Sequence, residues 1–210
     1  MIQQTTIHGH TANLPLHMVE EINHRVVNAY AEAISSLSLT AAQITAPEVQ
    51  VALARAVDRL RAHAETHRAL LQPMEGQVNL ADYVGGLCAS MSRASLAERS
   101  VYLTVETDEI WAGSARAWRI GLVVAELVRN AARHGLGGRS GAITVHLAQR
   151  GGEIFCGVRD NGGRPSNPRP GRGQGLVRAL AAELGGSADW RFSDGGCVAR
   201  LVVPIEAQAS

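Results

Sequence analysis

His24 lies in the run Glu21-Ile-Asn-His-Arg-Val-Val-Asn28, with carboxylates about one turn before it and an amide one turn after. Neutral imidazole is a nucleophile near neutral pH, so an exposed histidine in this setting can accept a transferred group. A second constellation is Glu126-Leu-Val-Arg-Asn-Ala-Ala-Arg-His134, in which Glu126, Asn130 and His134 recur at every fourth residue. On a helix that spacing predicts one shared polar face. A carboxylate beside an amide oxygen suits a hard cation that keeps most of its waters, as Mg²⁺ does. The third is Asp160-Asn-Gly-Gly163, then a loop with Arg164, Arg169 and Arg172, then Gly173-Gln-Gly175. A buried aspartate at a strand end can accept an exocyclic amine such as that of adenine. Glycines opening a helix let backbone N–H groups approach phosphate oxygens, and the three arginines suit a triphosphate. Taken singly, each pattern also has a plain reading: a surface histidine, a solvated helix face, a glycine-rich turn.

Composition removes other chemistries. The 210 residues carry a formal net charge of +1, which argues against a surface built for nucleic acid or an anionic membrane. Every basic side chain other than histidine is arginine. Without lysine there is no P-loop lysine, no Schiff base and no strand lysine of the protein-kinase kind. Cys88, Cys156 and Cys197 are far apart and not at zinc-ligand spacing, so they are expected as buried apolar thiols in a reducing compartment. No window approaches the ~18 apolar residues of a membrane span and no signal peptide is evident, so a cytoplasmic protein is expected. His63 and His67 are one turn apart but lack a third metal ligand, and Trp111, Trp118 and Trp190 are expected in the core or its rim.

These residues need elements to hold them. Residues 1–13 read as a flexible leader. A helix is predicted from about Pro15 to Leu39, with Val19, Ile22, Val26, Tyr30, Ala33 and Leu37 as its apolar stripe. At ~100° per residue, His24 falls about 160° from Ile22 and Val26, pointing away from that stripe. A break follows, with Thr45 and Glu48 at capping-box spacing. A second amphipathic helix runs to about Leu71, with His67 on its apolar seam. Neither stripe can be fully covered within one hairpin, so residues 14–75 are expected to pair with a second copy as a four-helix bundle. From 76 to 210 the pattern changes to helices over 79–96, 114–135 and 175–184, with strands over 101–106, 142–148, 153–159, 187–192 and 198–205. The fold class expected is α+β: a helical hairpin followed by an α/β sandwich with a mixed or largely antiparallel sheet.

In this order the motifs resemble those of histidine kinases of the GHKL ATPase superfamily, specifically the HWE and closely related families. The resemblance is carried by His24-Arg-Val-Val-Asn28, by His67 in its helix, and by Val78-Asn-Leu-Ala-Asp-Tyr-Val-Gly-Gly-Leu87. Glu126 to His134 looks like the N box, Asp160 to Gly163 like the first glycine box, and Gly173 to Gly186 like the second glycine box and its helix. The match spans about Leu16 to Pro204. It implies a Bergerat-type ATP-binding domain using ATP and Mg²⁺. In that reading His24 is the phosphoacceptor, Glu126 orients or deprotonates the imidazole or a metal-bound water, and Asn28 faces the exchange. Asn130 holds the metal, and Asn130, Arg133, His134, Asp160, Gly162, Gly163, Arg172, Gly173, Gly175 and Leu176 bind nucleotide. The implied partners are a response-regulator receiver domain and a second copy of the chain. No sensor domain precedes the hairpin in these 210 residues, so the input is expected either from a separate sensor protein or from a sensor domain outside them. The chain departs from the family pattern at Arg164, where a second glycine is usual, and at Ala29-Tyr30, where Asn-Leu is frequent. Two rivals share the fold: a histidine phosphotransferase that no longer uses ATP, and a non-catalytic anti-sigma-type regulator.

Overall fold

The amphipathic N-terminal stretch forms a hairpin in the computed structural model, which describes residues 16–71, 76–163 and 172–205. The expected leader lies outside those residues. Helix α1 (Leu16–Gln43) runs further than its stripe suggests, and α2 (Pro47–Ala69) follows after a short turn. The expected capping box does not form. Ala46, not Thr45, precedes α2 and offers no side-chain cap, while Pro47 occupies a first-turn position whose N–H would lack a partner anyway.

The α1 stripe divides between two environments. Val26, Val27 and Tyr30 are half-buried in the hairpin, but Met18 and Ile22 are 40% and 50% exposed. Met18 and Ile22, at the start of the expected stripe, are thus left uncovered by α2, while Asn23 beside them turns inward and finds polar partners there. A single hairpin covers only one flank of each helix, so the Met18 and Ile22 flank remains open.

Beyond the hairpin, α3 (Leu80–Met91), α4 (Ser114–Asn130) and α5 (Arg172–Glu183) lie on a five-stranded sheet. Its strands are β2 (Val101–Thr107), β4 (Gly141–Arg150), β5 (Glu153–Asp160), β6 (Ser187–Ser193) and β7 (Gly196–Pro204), in the order β2-β4-β5-β7-β6. Only β2 and β4 run parallel, so the sheet is mixed as expected. Side chains alternate along a strand, which puts Ile143, Val145 and Leu147 of β4 and Ile154, Cys156 and Val158 of β5 into the core. They meet Leu80, Leu87, Ile120, Val123, Val177 and Leu180 from the helices. Each such Leu or Ile withdrawn from water contributes about 1.5–3 kcal/mol, enough to fix which face of every element is inside. The tight β4–β5 turn uses Gly151 and Gly152 at φ 56° and 83°, conformations that a two-residue hairpin loop demands. Burial pushes the Cys88 and Cys156 thiols up to about 12, in keeping with inert core residues.

Two short strands escaped the sequence reading: β1 (Gln77–Asn79) pairs antiparallel with β3 (Trp111–Gly113). Three residues carry no readable alternation. Asn79 then caps α3, its side chain accepting the Ala81 N–H at 2.9 Å. The end of the hairpin is bound into this domain. Leu70 is 3% exposed within the core, and the Trp118 indole donates to its carbonyl at 2.8 Å. Tyr83 donates to the Ala69 carbonyl at 3.0 Å, across a helix contact so close that a Cβ at Gly121 would strike the Tyr83 ring. Among the described residues, no helix is long and apolar enough to cross a membrane.

Candidate active site

Asp160 ends β5 two residues after Val158, so strand alternation turns its carboxylate toward the core, where it is 3% exposed. Its Oδ1 accepts the Gly162 N–H at 3.0 Å and the Cys197 N–H at 3.3 Å. Burial raises its pKa above the ordinary carboxylate value, and the two amide bonds pull it part of the way back. Three glycines from three segments make the space. A Cβ at Gly135 would collide with the Asp160 carboxylate, one at Gly162 with the Gly135 carbonyl, and one at Gly196 with the Asp160 carbonyl. Cys197 thus differs from the other two thiols: it is only half-buried, and burial followed by the Asp160 charge pushes it up to about 11.

Gly135 reaches Asp160 because α4 does not continue as an α-helix. From Ala131 to Gly135 the chain widens into a π turn, the Leu136 N–H donating to the Ala131 carbonyl at 2.8 Å. Such a turn accommodates one extra residue and is frequent at functional sites. It also breaks the four-residue phase expected to carry His134 onto the face of Glu126 and Asn130. Arg133 and His134 are both exposed there, and it is Gly135 that meets Asp160.

Glu126 and Asn130 remain in phase on α4. The Asn130 Nδ2 donates to Glu126 Oε1 at 3.3 Å, and the Arg129 guanidinium donates to Oε2 at 2.6 and 3.2 Å. Gly173, in the first turn of α5, is pressed onto this pair: a Cβ there would collide with Glu126 Oε1 and lie 3.1 Å from Asn130 Nδ2. The second glycine box therefore sits on the N box, presenting orphan helix N–H groups beside it. Gly175 has open space around it and Leu176 is 38% exposed, so packing requires neither identity. Gly162 and Gly163 are half-buried. Arg164 and Arg169 lie outside the described residues, as does the side chain of Arg172.

His24 and Asn28 are both exposed on α1, one turn apart, as expected. Glu21 pairs with Arg25 on this surface, at side-chain exposures of 57% and 78% that leave such a pair little energetic weight. Among the described residues, the hydrogen-bond partners of Asp160 and Glu126 all come from the α/β domain, so His24 stands on a separate element from the Asp160 and Glu126 cluster. His67 is in the hairpin seam, its Nδ1 3.0 Å from Asn23 Oδ1 and its ring 5.8 Å from that of Tyr30. Sequence reasoning missed Asn23, Gly135, Gly196 and the Cys197 amide. Asn23 did leave a signal, a polar residue in line with an apolar stripe, whereas a backbone donor such as Cys197 leaves none.

Residues 21–95 match the family model described as histidine kinase, and residues 91–202 match that of the histidine kinase-like ATPase domain. The sensor histidine kinase PdtaS of Mycobacterium tuberculosis is 29% identical over 196 residues, covering 89% of this chain and 39% of that protein. Blue-light-activated histidine kinase 1 of Erythrobacter litoralis is 26% identical over 193 residues, covering 88% and 52%. The chain thus spans only about two fifths to one half of these relatives. Among solved structures, the histidine kinase domain of an Erythrobacter litoralis blue-light-activated kinase superposes with a TM-score of 0.62 at 20% identity, covering 85% of this chain and 97% of that one. A bacterial phosphotransferase superposes with a TM-score of 0.60 at 13% identity, covering 95% and 98%. With one model matching the hairpin and another more than half of the chain, this protein belongs to the histidine kinase family, a hairpin followed by a histidine kinase-like ATPase domain.

Proposed function

We propose that the chain is a cytoplasmic ATP-dependent protein-histidine kinase that phosphorylates its own His24 and passes the phosphoryl group to an aspartate of a response-regulator receiver domain. The observation that carries this is Asp160, a carboxylate kept buried inside a cradle of three glycines although burial disfavours its charge. A cost of that kind is sustained where the group has a ligand to recognise. Asp160 accepts the exocyclic amine of adenine, with Gly162 and Gly163 beside the base. The first-turn amides of α5, at Gly173 and Gly175, cradle phosphate oxygens, and Arg172 and the arginines of the preceding loop add charge. Arg133, His134 and Leu176 border the nucleotide.

Among the described residues, no group of three or more His, Cys, Asp or Glu side chains could hold a metal ion. That fits Mg²⁺ entering with ATP, since it takes most of its ligands from phosphate and water, with Asn130 adding one oxygen. When bound, the metal offsets charge on the triphosphate. A ring nitrogen of His24 attacks the γ-phosphorus: the N–P bond forms, the P–O bond to the β-phosphate breaks, and ADP leaves. The imidazole proton passes to Glu126, which the Arg129 pair holds in place. Residues 14–75 form the acceptor hairpin, 76–210 the catalytic domain, and Asn28 faces the incoming receiver.

Incubation with labelled ATP should give an acid-labile, base-stable label that a receiver domain then removes. A wild-type protein that binds no nucleotide near millimolar ATP would instead make the chain a histidine phosphotransferase. That second reading is favoured by the similarity to a bacterial phosphotransferase along almost all of both chains.

The open flank of α1 belongs against a second copy, making the four-helix bundle. Light scattering should show a dimer at tens of micromolar, and Ile22→Glu should yield monomer because it places a charge on a 50%-exposed residue of that flank. Monomeric wild type at that concentration would dispose of the bundle.

A further inference from the structure

The residue immediately before the phosphoacceptor is the buried polar group of the hairpin. Asn23 is 6% exposed, while its neighbour His24 is exposed. Its amide spans two partners on α2: Nδ2 donates to the Leu70 carbonyl at 3.3 Å, and Oδ1 faces His67 Nδ1 at 3.0 Å. The carbonyl fixes the amide orientation, so Oδ1 must be an acceptor and His67 must carry its proton on Nδ1.

The same Leu70 carbonyl also receives the Trp118 indole N–H, at 2.8 Å, from α4 of the ATPase domain. One acceptor therefore ties α1, the end of α2 and α4 together. Burial, then the positive charge of Arg129 on α4 and that of His63, hold the His67 imidazole below its ordinary pKa. Arg129 is the residue that holds Glu126. Tyr30 of α1 closes the arrangement, its ring 5.8 Å from His67 and stacked at 6.0 Å on His63.

Successive residues on a helix are separated by ~100°, so pinning Asn23 inward sets the rotation of α1 and with it the direction of His24. Resting on the kinase reading above, we infer that Asn23 and His67 are positioning residues that couple docking of the ATPase domain on the hairpin to the presentation of His24. They touch neither nucleotide nor phosphate.

The test uses the full chain with Asn23→Leu, His67→Leu and His67→Gln, folding being checked by circular dichroism. A glutamine can still donate to Asn23, whereas leucine cannot. For the two leucine variants the label rate on His24 at saturating ATP should fall about tenfold or more with KM for ATP within about twofold, the signature of an interaction outside the nucleotide site. His67→Gln should recover most of the rate, and the two leucine changes together should cost little more than either alone. Equal loss in His67→Gln and His67→Leu, a full rate in Asn23→Leu, or a rise in KM matching the loss would overturn the inference. An unlabelled wild type would sink the kinase reading alone, because docking has its own readout. Hydrogen exchange of the Trp118 indole N–H should quicken in Asn23→Leu, and an unchanged exchange rate would end the proposal. If Asn23→Leu does not fold, the His67 pair decides by the same two measurements.

Discussion

Replacing His24 by alanine should remove all acid-labile phosphate from the protein while leaving ATP affinity as in wild type. The seven remaining histidines serve as internal controls. His67 is committed to Asn23 and Tyr30 in the seam, and a nitrogen held in that way is poorly placed to meet a γ-phosphate. His24 is exposed, and among the described residues no hydrogen bond or ion pair joins it to the ATPase domain. The variant therefore deletes an acceptor without touching Asp160, Asn130 or the first turn of α5. Phosphate released in acid would be lost at least about a hundredfold, the effect expected when the nucleophile itself is absent. A label that persists in the variant would place the acceptor elsewhere. Weakened ATP binding would mean that the hairpin contributes to the nucleotide site.

Asp160→Asn should separate binding from stability. In wild type, Oδ1 is engaged by the Gly162 and Cys197 amides, and in the reading proposed above the other oxygen faces the adenine amine. An asparagine must keep its oxygen toward those two donors, so its NH₂ turns to the adenine amine and donor meets donor. Affinity for ATP should fall by about 100-fold or more, on the order of 3 kcal/mol, as for an unpaired group in a buried site. Stability should respond in the opposite sense. The folded-state pKa of Asp160 lies above the ordinary carboxylate value, so its contribution is most favourable when protonated and is lost as pH rises through that folded pKa. At pH 7 the variant should therefore melt no lower than wild type, and its advantage should vanish on acidification as Asp160 becomes neutral. Calorimetry with ATP and thermal melts from pH 4 to pH 8 read both halves. Retained affinity, or a clear fall in melting temperature at pH 7, contradicts the role assigned to Asp160.

How much of this was legible depended on whether an interaction leaves a mark in side-chain type. The helices, the mixed sheet and the three constellations follow from periodicity, glycine placement and motif order, and all appear near their expected positions. Asp160, Glu126 and Asn130 lie where the motifs put them, and Gly173 proves to be required by contact rather than by flexibility. The misses have physical causes. A four-residue phase was carried through His134 because a π turn has no sequence signature, and the turn itself decides that Gly135 faces Asp160. Thr45 looked like a cap only because the continuation of α1 through Gln43 was not foreseen. Asn23 was passed over because amphipathic counting scores a polar residue as outward, whereas two hydrogen bonds made its burial tolerable.

The anchoring of Leu70 and the β1–β3 pair sets a limit on reach. Leu70 is sunk in the ATPase core and Gln77 is already hydrogen-bonded in β1, so six residues separate two fixed points. Stretched straight, that tether spans roughly 25 Å. His24 is next to a residue bonded to one of its ends, so acceptor and tether lie at the same height on the hairpin. The ATPase domain is therefore fastened at the foot of the helices, where Leu70 receives both Asn23 and Trp118. On the kinase reading proposed above, its targets would be histidines at that level, on its own hairpin or on one packed beside it.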